Sequence, residues 1–155
     1  MIKLAFLLAL AMAGGIMSYI RLAPSDAARW HEDPTLVKKP KTPNAYLIRL
    51  VGGDSIAPIY DLNPADLAAV IDSIARADGA VLIAGSVDQG HMTYVTRSPV
   101  MGFPDYTSVK VGAVGSGASF SAFARSRFGR SDLGVNRARL ERWQAALDAS
   151  VPVLR

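Results

Sequence analysis

The chain has 155 residues, enough for one domain with a real core and too few for two. It contains no cysteine, which excludes disulfides, thiolate chemistry, zinc–sulfur sites and lipoprotein acylation. The net charge of +4 is local: outside Lys3 and Arg21 the chain carries 15 basic against 13 acidic residues, and the excess gathers in Ala122–Trp143. That distribution argues against a general nucleic-acid binder, which spreads Lys and Arg over a broad face.

Leu4–Ile20 runs for seventeen residues without a charge, bracketed by Lys3 and Arg21. A spanning helix needs about 20 apolar residues, with roughly 17 as the short limit. Ser18 and Tyr19 suit the interfacial end. Residues 1–21 are therefore expected to form a single transmembrane helix. The alternative is a cleaved signal peptide, since Ala11-Met12-Ala13 has the small-x-small form of a cleavage site; cutting there leaves an unusually short signal. Either reading sends residues 22–155 out of the cytoplasm.

Residues 22–43 read as a linker, with Pro24, Pro34, Pro40 and Pro43 keeping it extended and Lys38, Lys39 and Lys41 near its end. It either spaces the domain from the bilayer or lies along the domain surface. Ser25 is expected to cap a short helical turn over residues 26–30, and Trp30 to pin the linker to the domain.

The folded domain spans 44–155. Asn44–Val51 alternates and reads as a strand. Asn63 and Pro64 open a helix whose apolar stripe is Leu67, Val70, Ile71 and Ile74, stopped by Gly79. Ala80–Val87 and His91–Ser98 read as a hairpin, followed by strands over Asp105–Val111 and Ala118–Arg127. Gly112–Gly117 reads as a hairpin turn, because no Lys-Ser/Thr follows it as a phosphate loop requires. Ser131 is expected to cap a last helix that runs to about Ala149, with Leu133, Leu140, Trp143 and Leu147 facing the sheet. The result is an α+β domain: a mainly antiparallel sheet of about five strands with two amphipathic helices on one face.

The stretch Ala122–Trp143 holds six arginines against Asp132 and Glu141. Ser121, Phe123, Arg125 and Arg127 point one way on the last strand, and Arg97 is expected on the same face. The strand then enters a helix whose first amides are unpaired and partly positive. Arg97, Arg125, Arg127, Arg130 and Asn136 thus form a candidate anion or phosphate site. The competing reading is a structural corner of Ser131, Asp132, Gly134 and Arg139, with Asp132 paired to Arg127 or Arg130. No catalytic residue, metal site or cofactor is predicted. His31 and His91 lack metal-ligand spacing, and no nucleophile elbow, P-loop or dinucleotide fingerprint occurs. A hydrolase or transferase using Asp105 or Asp132 is the weaker alternative.

Several of these segments together resemble a known family. Thr93-Tyr94-Val95-Thr96-Arg97-Ser98, Gly102-Phe103-Pro104-Asp105-Tyr106, Ala124-Arg125-Ser126-Arg127 and the run from Gly129 to Arg139 are similar to the DUF1499 family. The R-S-R-x-G-x-S-D-x-G-x-N-x-x-R run is its most distinctive motif, and the resemblance covers roughly residues 35–148. Pro104-Asp105-Tyr106 stands where many members have two acidic residues. The N-terminal segment resembles the alphaproteobacterial members, which implies a bacterial inner-membrane protein facing the periplasm, or a periplasmic one if the signal is cut. The family implies a domain of unassigned activity. The expected roles are binding of an anionic ligand or lipid headgroup, or a structural subunit that meets another membrane protein; no nucleic-acid partner is expected.

Overall fold

A computed structural model of the chain describes residues 2–154. Its first element is α1 (Ile2–Leu22), a helix long and apolar enough to cross a membrane, with a mean hydropathy of 1.7. Next comes α2 (Ala27–Trp30), a single turn. Its cap is Asp26, whose Oδ1 accepts from the Ala28 amide. Ser25, the expected cap, instead hydrogen-bonds the Tyr106 hydroxyl at 3.1 Å and ties the linker to the sheet.

The strands are β1 (Ala45–Ile48), β2 (Ile59–Tyr60), β3 (Val81–Ser86), β4 (His91–Arg97), β5 (Pro104–Val114) and β6 (Gly117–Ser126). They form one antiparallel sheet in the order β1-β6-β5-β4-β3, with β2 also paired to β6. Two helices, α3 (Pro64–Ala77) and α4 (Val135–Ser150), cover one face. This is the α+β architecture the strand and helix patterns predict. The details differ at three places. The first strand stops at Ile48, because the chain folds back so that the amides of Leu47 and Asp54 reach Asp54 Oδ2 and the Leu47 carbonyl. The two-residue β2 was too short to show as an alternating pattern. And β5 continues through Gly112 to Val114, so the hairpin turn is shorter than the glycine-rich stretch.

Alternation assigns the two faces of the sheet. Tyr94, Val109, Phe120, Ala122 and Ala124 face the helices and pack with Leu67, Ile71, Leu140, Trp143 and Leu147 in the main core. Polar ties orient the helices on it: Tyr94 donates to Asp72 of α3, Tyr60 to Asp148 of α4, and Trp143 Nε1 to Asp78. Burial first, then the carboxylate partners, push both tyrosine hydroxyls well above their ordinary pKa, so they remain donors.

The opposite face is covered by the linker. Trp30 is buried and stacks on Tyr106 with centroids 3.9 Å apart and planes 8° apart. Such a pair adds about 0.5–1.5 kcal/mol beyond the area it buries. The Pro-rich segment therefore lies along the domain over its Trp30 end instead of standing off as a free spacer.

Candidate functional site

Both sides of β6 carry buried arginine chemistry, because Arg125 points toward the linker while Arg139 reaches down from α4. Arg125 is 5% exposed. Its Nη1 donates to Ser108 Oγ and the Phe123 carbonyl, and its Nη2 to the Trp30 carbonyl. Nη2 is also 3.1 Å from Glu32, whose side chain is half exposed. Burial pulls Arg125 down to about 10, against the opposing pull of Glu32; it stays charged at neutral pH.

Its neighbours on the same face also hold main-chain oxygens. Arg97 donates to the carbonyls of Ile20, Ala23 and Gly102, and Arg127 to that of Pro24. Carbonyls at a helix C-terminus lack intrahelical donors, and arginine is a natural partner for them. Arg97 thus fastens the end of α1 to the sheet. Arg125 and Arg127 share a groove of about 370 Å³ with Arg29, Lys38, Glu32, Pro40, Phe123 and Asn44. Four cations line it against one carboxylate.

Asn136 is not part of that groove. It is fully buried on the helix side, where its Nδ2 donates to Ser126 Oγ, Asp132 Oδ2 and the Asn44 carbonyl. Its Oδ1 accepts from Arg139, and Arg139 pairs with Asp105 at 3.2 Å. Arg139 and Asp105 are 5% and 7% exposed, so this is a buried ion pair. Arg130 is exposed and joins neither cluster. The predicted anion set is therefore divided by the sheet: Arg97, Arg125 and Arg127 lie on one face and Asn136 on the other.

The start of α4 is built differently from expectation. The position before the helix is Gly134, at φ 84°, and Leu133 is also left-handed at φ 55°. Two successive left-handed residues swing Leu133 out to 94% exposure, so it does not face the sheet. Asp132, not Ser131, serves the first amides: Oδ1 accepts from Gly134 and Oδ2 from Asn136. Asp132 makes no ion pair with Arg127 or Arg130 among the described residues. Because that carboxylate already occupies the helix N-terminus, a ligand anion there meets its negative charge.

Beside this corner a second cleft, of about 240 Å³, is lined by Ser98, Phe103, Asp105, Ser126, Phe128, Gly129, Ser131, Asp132 and Val135. Phe128 meets Phe103 edge-on at 6.2 Å and Tyr19 of α1 at 6.1 Å. Arg21 donates to the Val100 carbonyl. The cleft therefore lies next to the C-terminal end of α1. Among the described residues no three His, Cys, Asp or Glu side chains gather as metal ligands.

The sequence reading missed Phe103 and Phe128 as cleft walls and Arg29, Lys38 and Glu32 as groove residues. The linker charges were visible, but only the stacking of Trp30 on Tyr106 tells which sheet face they meet.

These features define an α+β domain preceded by a long apolar helix, with one basic and one acid-floored cleft near that helix's end. The chain belongs to the DUF1499 family, described as a protein of unknown function, whose model matches residues 35–147. That match takes in both clefts except for Arg29, Trp30 and Glu32. No curated protein matches the chain.

Proposed function

We infer that the chain is a single-pass protein of a bacterial inner membrane, with its domain on the periplasmic surface, that binds a phosphate-bearing lipid headgroup. The observation that carries this reading is the groove of Arg29, Lys38, Arg125 and Arg127 opposed by Glu32 alone. Arg127 holds the carbonyl of Pro24, two residues beyond the end of α1, so the groove lies close to the surface that α1 would cross. Tyr19 lies in the last turn of α1, and aromatic side chains favour the interfacial end of a spanning helix. Exposed Val100 and Met101, beside Arg21, supply apolar contact at that end. Basic residues near a membrane surface contribute about 1 kcal/mol each toward anionic lipid. A bound anion also returns to Arg125 the favourable environment that burial removes.

The test uses the full chain in nanodiscs of neutral lipid or of lipid containing phosphatidylglycerol, with soluble glycerol phosphate as a separate arm. A ligand at ~100 times its Kd stabilises by about 2.7 kcal/mol. Stabilisation is expected with phosphatidylglycerol and lost in Lys38→Ala and Arg127→Ala. A response to glycerol phosphate in neutral nanodiscs assigns the site to a free phosphate ester. No response to either, with Arg127→Ala destabilised in every condition, refutes headgroup binding.

A second reading has its own observation. Arg97, Arg125 and Arg127 all hold main-chain carbonyls of residues 20–30. On that reading the arginines fix the domain rigidly to α1, and the protein is a structural subunit whose exposed surface meets another membrane protein. The refuting outcome above is the one this reading predicts.

A further inference from the structure

We propose that the cleft between Phe103, Phe128 and Asp105 is a second binding site, for a neutral polyhydroxylated ring such as a sugar or cyclitol. It lies on the helix side of the sheet and does not depend on the anion groove.

The argument starts from which polar atoms remain free. Asp132 has spent both oxygens on the start of α4. Asp105 offers one oxygen to Arg139; its other oxygen has no protein donor among the described residues. Ser98 accepts from the Phe103 amide, Ser126 from Asn136 Nδ2, and Ser131 from the Leu133 amide. Each of these hydroxyls therefore has its proton left to donate, and none has a protein acceptor among the described residues. The cleft presents three O–H donors and a carboxylate acceptor.

Charge then selects the ligand. Two carboxylates and no cationic side chain line the cleft, and the guanidinium of Arg139 is already committed to Asp105 and Asn136, so an anion is disfavoured. Asp132 is satisfied by its donors and the charge of Asp105 is already balanced by Arg139, so a cation gains little. A neutral molecule with several hydroxyls matches what remains. The walls Phe103, Phe128 and Val135 supply the apolar surface on which the C–H face of such a ring rests. The volume, about 240 Å³, is just under the ~300–1,000 Å³ of drug-sized sites and holds a single ring.

A second observation concerns Asp105's surroundings. Arg139 Nε, Thr96 Oγ1 and Thr107 Oγ1 are buried without a hydrogen-bond partner among the described residues. Thr96 is the cross-strand partner of Asp105, Thr107 is two residues along on the same face, and Arg139 is its ion partner. Unsatisfied buried polar atoms are rare and call for an explanation. Here they lie behind Asp105, a carboxylate that lines the cleft while they do not, a place for ordered water between Asp105 and the core.

The ring comes either from a soluble sugar or from a glycolipid, since Phe128 touches Tyr19 at the end of α1. The experiment uses the full chain in nanodiscs of neutral lipid. One arm adds glucose or myo-inositol, a second incorporates glucosyl-diacylglycerol, and a control incorporates diacylglycerol. Saturation-transfer NMR and thermal shift read binding. Saturable binding is expected, weakened roughly tenfold or more by Asp105→Asn, as for loss of a hydrogen bond to a charged group. Ser131→Ala, at an exposed hydroxyl, weakens it several-fold and decides the matter if Asp105→Asn fails to fold. Lys38→Ala leaves it unchanged, which separates this site from the anion groove. Response to the soluble rings or to the glycolipid alone identifies the source. Absence of saturable binding in both arms, or binding that survives both cleft variants, overturns the proposal.

Discussion

Arg125 and Arg139 are equally buried, on opposite faces of one sheet, and the fold treats them in opposite ways. Arg139 meets a carboxylate that is as buried as itself, with Asn136 holding the pair in place. Arg125 meets carbonyls of the linker and a carboxylate half open to water. The first arrangement is closed: charge is balanced inside the domain. The second balances its charge against a half-exposed carboxylate of the linker and so depends on a segment that is separate from the domain core. The closed pair therefore serves the stability of the domain, and the open one the attachment of the linker.

The comparison is broken most severely at the closed pair. Arg139→Ala leaves Asp105 charged and buried, and is expected to cost about 3–5 kcal/mol. The double variant Arg139→Met with Asp105→Leu removes both charges and is expected to recover most of that loss. Chemical denaturation of the three proteins measures it; a double variant as unstable as the single one would show that Asn136 and its neighbours, not charge balance, carry the corner. Next comes the linker face. Trp30→Ala removes the stacked ring and is expected to cost about 3 kcal/mol, with faster proteolysis in residues 22–43. Smaller again is Arg125→Met, at about 2 kcal/mol, the cost of leaving buried carbonyls without a donor. The Arg125 guanidinium lies over the Trp30 ring, 5.4 Å from its centroid, so their effects should fall short of additive, which a double-mutant cycle reads directly.

This two-faced organisation was partly legible in the sequence. Period-two alternation placed Phe123, Arg125 and Arg127 on one face of β6, and Asn63-Pro64 marked the start of α3, because those signals are local. What joined Asn136 to the arginines in the predicted site was their closeness along the chain, and the sheet between them is not a local feature. The start of α4 failed for a related reason. Ser131 has the right chemistry for a cap, but consecutive left-handed residues at Leu133 and Gly134 move the helix start past it and leave Asp132 to do the capping. The pair of Asp105 and Arg139 spans 34 residues and has no sequence signature.

The smallest expected effect is a pH dependence confined to the linker face. His31 stacks on His91 with centroids 3.8 Å apart, and its Nδ1 lies 2.8 Å from Thr93 Oγ1. His91 and Thr93 face it from β4, Lys110 from β5 and Gly85 from β3, with Asp33 on its own segment. Burial first, then the charges of His91 and Lys110, hold His31 below its ordinary value of 6.5, while Asp33 pulls weakly the other way. The unfolded or undocked linker therefore binds a proton that the docked one excludes. Docking is favoured above that ordinary value and weakens as pH falls through it toward the lowered one. Protection of residues 22–43 from protease, followed from about pH 8 to 5, should decline on acidification. His31→Gln, which keeps a polar group but cannot take the proton, should flatten that decline. On the helix face, Asp72 is held below its ordinary value by Arg76 and Tyr94 against the cost of burial, so its contribution weakens only at more acidic pH. A linker that detaches and a core that stays folded in the same mildly acidic window would separate the two faces experimentally; simultaneous loss of both would show that the linker is integral to the domain.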